Sequence, residues 1–225
     1  MKKKGLLVAV EGIDGVGKTT VSKKLTSLLK EIGFKTYYTF EPSDGFYGKI
    51  VRRLISRGGY SWKWEIALLL ALDRAWHVKE IILPLLNDGY IIVCDRYLHS
   101  QLAYQVAEGL DRYVIEKLNS EFPKPDLVLF LDADPGRTLL RLNAFIKKYS
   151  KSDKRSIYND EAFLRRVRQI YFEYINDKRF TRKFHVVDMD SVLGCNVLLS
   201  EREFKLRIER LARKLIDIIM NLAET

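Results

Sequence analysis

The sequence predicts a three-layer α/β fold built on a parallel sheet. Five short apolar runs stand at 5–11, 36–40, 90–94, 126–131 and 184–188, and several show little alternation, as strands covered on both faces do. Longer segments with helical spacing lie between them. Strand and helix alternate along the chain, which calls for crossover connections between parallel neighbours. With 225 residues, 47% of them hydrophobic, the chain can fill one full core. No linker, repeat or low-complexity tract divides it, so 1–225 reads as a single domain.

The elements follow in order. The opening MKKKGLLVAVEG joins a basic start to an apolar run that is too short for a secretion leader and ends in Glu11; it reads as the first strand. Val21, Leu25, Leu28, Leu29 and Ile32 recur at helical spacing in 18–32, and Gly33 suits the C-cap. Residues 62–87 read as one long helix with Pro84 disturbing its last turn. Helices are also predicted at 135–148, where Pro135 fits a first turn, and at 160–176, behind the capping stretch NDEAF. The last, 200–223, is amphipathic and basic, expected to pack on the sheet with its Lys/Arg face in solvent. The stretch 145–158, FIKKYSKSDKRSIY, holds five basic residues and reads as a mobile basic lid or a solvated loop.

Composition narrows the function. No apolar stretch approaches the length of a membrane span, so no membrane partner is expected. Two cysteines make no disulfide framework and fit a reducing cytosol. A net charge of +10 suits phosphate-bearing partners, either nucleotides or nucleic acid. His77, His99 and His185 lack metal-ligand spacing, and His99 is expected at the surface. Trp62, Trp64 and Trp76 read as core or as a subunit face.

Between the first strand and the first helix stands Gly12-Ile13-Asp14-Gly15-Val16-Gly17-Lys18-Thr19-Thr20, which fits G-x-x-x-x-G-K-[ST]. Glycines let successive N–H groups turn inward, and with the first helical turn they form a nest for a triphosphate. Lys18 would reach the β- and γ-phosphates, and the Thr19 hydroxyl would hold Mg²⁺. IIVCDRY ends a buried strand in Asp95, placed either as the second metal-side acid or as a helix cap.

EGIDGVGKTT, LALDRAWH, CDRYLHSQLAYQ and KPDLVLFLDADP, in that order, resemble the thymidylate kinase family of P-loop kinases, over about residues 5–175. The resemblance implies a P-loop kinase fold with a five-stranded parallel sheet flanked by helices. It also implies cytoplasmic transfer of the γ-phosphoryl of ATP to dTMP with Mg²⁺, and a homodimer paired through helices. It implies that Asp14 accepts a hydrogen bond from the acceptor 3′-hydroxyl, and that Arg74 and Arg96 grip the acceptor phosphate. Tyr104 packs beside the deoxyribose, while Ser100 and Gln101 lie at the base or sugar-phosphate, with Gln105 following. Glu41 orders the acceptor site. Gly15 stands where some members carry an arginine, which shifts the catalytic cation to the lid: Lys147, Lys148, Lys151, Lys154 or, first, Arg155. Arg155 lies two residues early of the family's lid arginine. Leu70 stands where members usually stack a phenylalanine on thymine. Two other readings stay open. One is a kinase for another acceptor: dUMP, a mixed set of nucleotides, or a nucleoside. The other is a P-loop ATPase that binds nucleic acid, against which the acceptor-side motif argues.

Overall fold

The computed structural model describes residues 5–58, 60–149, 160–194 and 199–223, with backbone alone at 60 and 145–149. Most of the expected lid, including Arg155, and Cys195 lie outside the described residues. Five strands form the sheet: β1 (Leu6–Glu11), β2 (Thr36–Phe40), β3 (Ile91–Asp95), β4 (Leu127–Asp132) and β5 (Phe184–Asp188). All pairings are parallel, in the order β2-β3-β1-β4-β5. Each strand matches its apolar run to within a residue. β1, β3 and β4 are the inner strands and are almost wholly buried, which is why their runs do not alternate.

The described helices are α1 (Lys18–Glu31), α2 (Phe46–Ser56), α3 (Lys63–His77), α4 (Leu83–Asn87), α5 (Leu98–Ala107), α6 (Arg112–Asn119), α7 (Pro135–Tyr149), α8 (Glu161–Ile175), α9 (Met189–Leu193) and α10 (Glu201–Ala223). The β1–β2 crossover runs one way across the sheet and the later crossovers run the other. Right-handed connections therefore send α1 to one face and the helices after β2, β3 and β4 to the other. Packing agrees: α1 lies on α10, α5 lies on α8, and α3 touches α5 and α6.

Two expectations are corrected. The helix at 62–87 is disturbed ahead of its last turn: a π turn over Val78–Ile82 separates α3 from α4. Pro84 has no N–H and its ring presses on the carbonyl of Glu80, so the helix widens upstream instead of breaking. The last helix, α10, buries Ile208, Leu211, Leu215 and Ile219 mainly against α1 and α9 rather than on the sheet.

The register sets the site. Val10 pairs with Asp95, and Glu11 with Phe130, so the carboxyl ends of the three inner strands share one edge. The loops after β1, β2 and β3 all open there, at the usual place for ligands in such sheets.

Candidate active site

The loop after β1 is shaped by its glycines. Gly12 has φ +142°, and a Cβ on it would stand 2.4 Å from the Leu131 carbonyl oxygen. Gly17 has φ +102° and caps α1 without a side-chain hydrogen bond, leaving the first amides of α1 with no side-chain cap. A 14-residue helix that ends so is a ready anion site when a cation stands beside it. That cation is Lys18, whose Nζ donates to the Ile13 carbonyl at 2.8 Å. Burial brings the Lys18 ammonium down to about 8, against the pull of Asp14, Asp95 and Glu11. Ile13 and Val16 point into the core, so they serve the loop through their backbone; Thr20 is exposed.

Thr19 Oγ1 donates to Asp95 Oδ2 at 2.5 Å. The other Asp95 oxygen is buried and, among the described residues, has no hydrogen-bond partner. A hydroxyl and a carboxylate oxygen are the donors Mg²⁺ takes, and an orphaned oxygen beside a phosphate nest fits such an ion. No three His, Cys, Asp or Glu side chains that could hold a metal gather among the described residues, so Thr19 and Asp95 would hold only part of such an ion's shell.

Asp14 faces the other way. Arg96 Nη2 donates to its Oδ1, and the Tyr104 hydroxyl donates to its Oδ2 at 3.0 Å while receiving the Asp14 backbone N–H at 3.0 Å. Burial works to raise this carboxyl, but Arg96 and Lys18 outweigh it and hold it below the usual range. Arg96 also donates to Ser100 Oγ at 3.0 Å, and its guanidinium lies 5.2 Å from the centre of the Tyr104 ring. Arg96 has φ +69°, the only positive value at a non-glycine residue among those described. Its carbonyl accepts from Cys94 Sγ at 3.0 Å and its N–H donates to Val10 at 3.0 Å, which hold that uncommon turn.

Glu11 is a site residue that sequence reasoning missed. Buried at the end of β1, it accepts from the Tyr97 N–H at 2.8 Å, the Ser100 N–H at 3.3 Å and the Ser100 hydroxyl at 2.6 Å. It thus caps α5 from another strand, where a carboxylate suits the helix dipole. Tyr171 of α8 donates to the same carboxylate at 3.1 Å. Burial pushes the Glu11 carboxyl upward despite these bonds.

Across the cleft, Arg74 is fully buried and pairs with neither Glu65 nor Glu80. Its five N–H groups go to Glu41 Oε2 at 2.9 and 2.6 Å, Gln101 at 2.7 Å, Asn119, and the Tyr97 carbonyl at 3.1 Å. Gln101 spends its amide N–H on the Ala67 carbonyl at 2.8 Å. Asp73 holds the next loop by accepting from the Ser43 N–H and hydroxyl, each at 2.6 Å. His99, expected at the surface, is buried in α5 against Thr181 at 2.7 Å. Burial drives its ring down to about 3.

These groups line a cleft of about 200 Å³. Asp14, Arg96, Ser100 and Tyr104 form its phosphate-loop side; Glu41, Arg74, Gln101 and Gln105 the far side; Pro42, Ile55, Ile66 and Leu70 an aliphatic wall. Gln105 Nε2 donates to Glu108 at 3.2 Å, while its Oε1 is buried with no partner among the described residues. Leu70 of this wall is expected from the family resemblance; Ile55 and Ile66 carry no signal in the sequence that separates them from core.

A phosphate nest that ends on the rim of a second, cation-lined cleft defines a P-loop phosphotransferase of the nucleotide kinase class. The thymidylate kinase family matches this chain across residues 10–191. The chain belongs to that family. A thymidylate kinase of Brachyspira hyodysenteriae is 43% identical over 140 residues, covering 62% of this chain and 68% of the relative. A probable thymidylate kinase of Pyrococcus horikoshii is 44% identical over 144 residues, covering 62% and 70%. One from Sulfurisphaera tokodaii is 34% identical over 217 residues, covering 96% and 97%.

Proposed function

We propose that this chain transfers the γ-phosphoryl group of ATP to dTMP, releasing ADP and dTDP, as a single P-loop kinase domain. The observation that carries the reading is the Asp14–Arg96 pair: a residue of the phosphate loop is bonded to an arginine of the second cleft, so the two sites meet end to end. In this reading the loop amides and Lys18 hold the triphosphate, and Thr19 and Asp95 hold Mg²⁺. Bound Mg²⁺ supplies positive charge to the phosphate oxygens. Arg96 orients the acceptor phosphate, whose ionised oxygen needs no general base to attack. The new P–O bond forms as the β–γ bridging bond breaks. Asp14 accepts from the 3′-hydroxyl, and Tyr104 packs beside the sugar. Arg74 has every N–H engaged, so it contributes charge and shape to the cleft, with Glu41 fixing it. Lid cations, Arg155 first, complete the charge around the transferring group.

Gln105 supports the choice of base. Its amide nitrogen faces a carboxylate, which leaves the oxygen to accept, and an unpartnered buried acceptor matches the imide N–H of thymine. Leu70 and its aliphatic neighbours take the ring faces. ADP release measured across dTMP, dUMP and thymidine should show dTMP preferred, and Gln105→Leu should raise its KM about tenfold. Turnover of thymidine without dTMP would refute the reading, as would nucleic-acid-stimulated ATP loss with no acceptor.

The reading includes a cytoplasmic homodimer. No described helix is long and apolar enough to cross a membrane, and Cys94 is an unpaired, buried thiol. On α3, Trp64, Leu68, Leu72 and Trp76 recur every fourth residue and are 45, 50, 48 and 38% exposed. Such an aligned stripe exceeds what a solvated face usually shows. Light scattering should give twice the chain mass for the wild type and the single mass for Leu68→Glu.

A further inference from the structure

We propose that His77 is a positioning residue of the acceptor cleft: its ring holds the second oxygen of Glu41 and so fixes the carboxylate that seats Arg74. The inference rests on the acceptor reading above.

Glu41 stands just past β2, and both Arg74 bonds fall on one of its oxygens, Oε2, at 2.9 and 2.6 Å. A carboxylate held by one oxygen can still swing about its last carbon–carbon bond. The other oxygen, Oε1, meets His77 Nδ1 at 3.1 Å. Glu41 is held ionised: burial works to raise it, but Arg74 and His77 keep it below the usual range. An ionised carboxylate only accepts, so Nδ1 carries a proton. Nε2 meets the Thr39 hydroxyl of β2 at 2.7 Å. Both ring nitrogens are thus engaged, one on the carboxylate and one on the hydroxyl.

The side chains of His77, Glu41 and Arg74 are 1, 3 and 1% exposed, so water cannot stand in for a lost partner. Arg74 lines the cleft, while His77, one turn further along α3, does not. Its removal can reach a ligand only through Glu41 and Arg74. Second-layer hydrogen bonds of this kind decide how rigidly a binding group is held.

Two variants separate positioning from packing. Asparagine places an amide N–H where Nδ1 stands, and glutamine places one where Nε2 stands. His77→Asn should keep the KM for dTMP within about twofold; His77→Gln should raise it about tenfold, with the KM for ATP unchanged. If His77→Gln does not fold, Thr39→Val serves: freeing Nε2 should raise the KM for dTMP about threefold. Nitrogen-15 spectra of the wild type should show the His77 proton on Nδ1, whatever the activity. The inference is overturned by equal KM changes in both histidine variants, by an unchanged KM in Thr39→Val where that variant is needed, or by an Nδ1 without a proton. A wild type that makes no dTDP refutes the acceptor reading instead.

Discussion

Replacing Lys18 by methionine is expected to lower kcat about 10²–10³-fold while dTMP binding is kept, because a preorganised charge aimed at developing phosphate charge is worth that much. Methionine retains the buried stem and deletes only the ammonium, whose one hydrogen bond among the described residues is to the Ile13 carbonyl. The same group predicts a pH effect. Its folded value is depressed to about 8 by burial, and phosphate oxygens favour the charged form. ATP affinity should therefore be full below about pH 8 and fall as pH rises through that value. Binding above it should draw a proton from the buffer, visible in calorimetry with buffers of different ionisation enthalpy. A kcat for Lys18→Met within tenfold of wild type would remove Lys18 from the donor site.

Arg96→Ala and Arg96→Gly should each lower kcat/KM for dTMP about 10²–10³-fold, since removing a preorganised charge aimed at the acceptor phosphate costs about that much. They should differ in stability. Arg96 sits at φ +69°, which glycine adopts freely and alanine only at a cost of about 1 kcal/mol. Thermal unfolding should thus place Arg96→Gly above Arg96→Ala, although both remove the Arg96 bond to Asp14. Equal activity loss with that order of stability separates the guanidinium's chemical role from the strain of the turn beneath it. The reverse order would mean that the turn is not strained in the folded protein.

Much of this was legible in the chain. β1, β3 and β4 show as nearly unbroken apolar runs because helices cover both their faces, and α1 shows because its buried residues recur at helical spacing. Lys18, Thr19 and Asp95 show because phosphate and metal chemistry restricts residue type and spacing. What stayed hidden depends on distant partners. Glu11 looks like the polar end of a strand, and its meaning comes from Tyr97, Ser100 and Tyr171, as many as 160 positions away. Ile55 and Ile66 are apolar like any core residue and become a cleft wall only in three dimensions. α2 was missed because Gly48 weakens its helical pattern, yet the glycine is required: a Cβ there would lie 2.1 Å from the Ser43 carbonyl oxygen. α9 spans five residues, too short for periodicity to appear. Pro84 pointed to the right helix, but the strain it creates is relieved upstream.

α3 carries Ile66, Leu70 and Arg74 toward the cleft on one side and Trp64, Leu68, Leu72 and Trp76 outward on the other. A single rod cannot be turned on one side alone. A compound lodged against the outer tryptophans would reach the nucleotide through the width of a single helix, giving a remote handle on turnover that leaves the phosphate loop untouched.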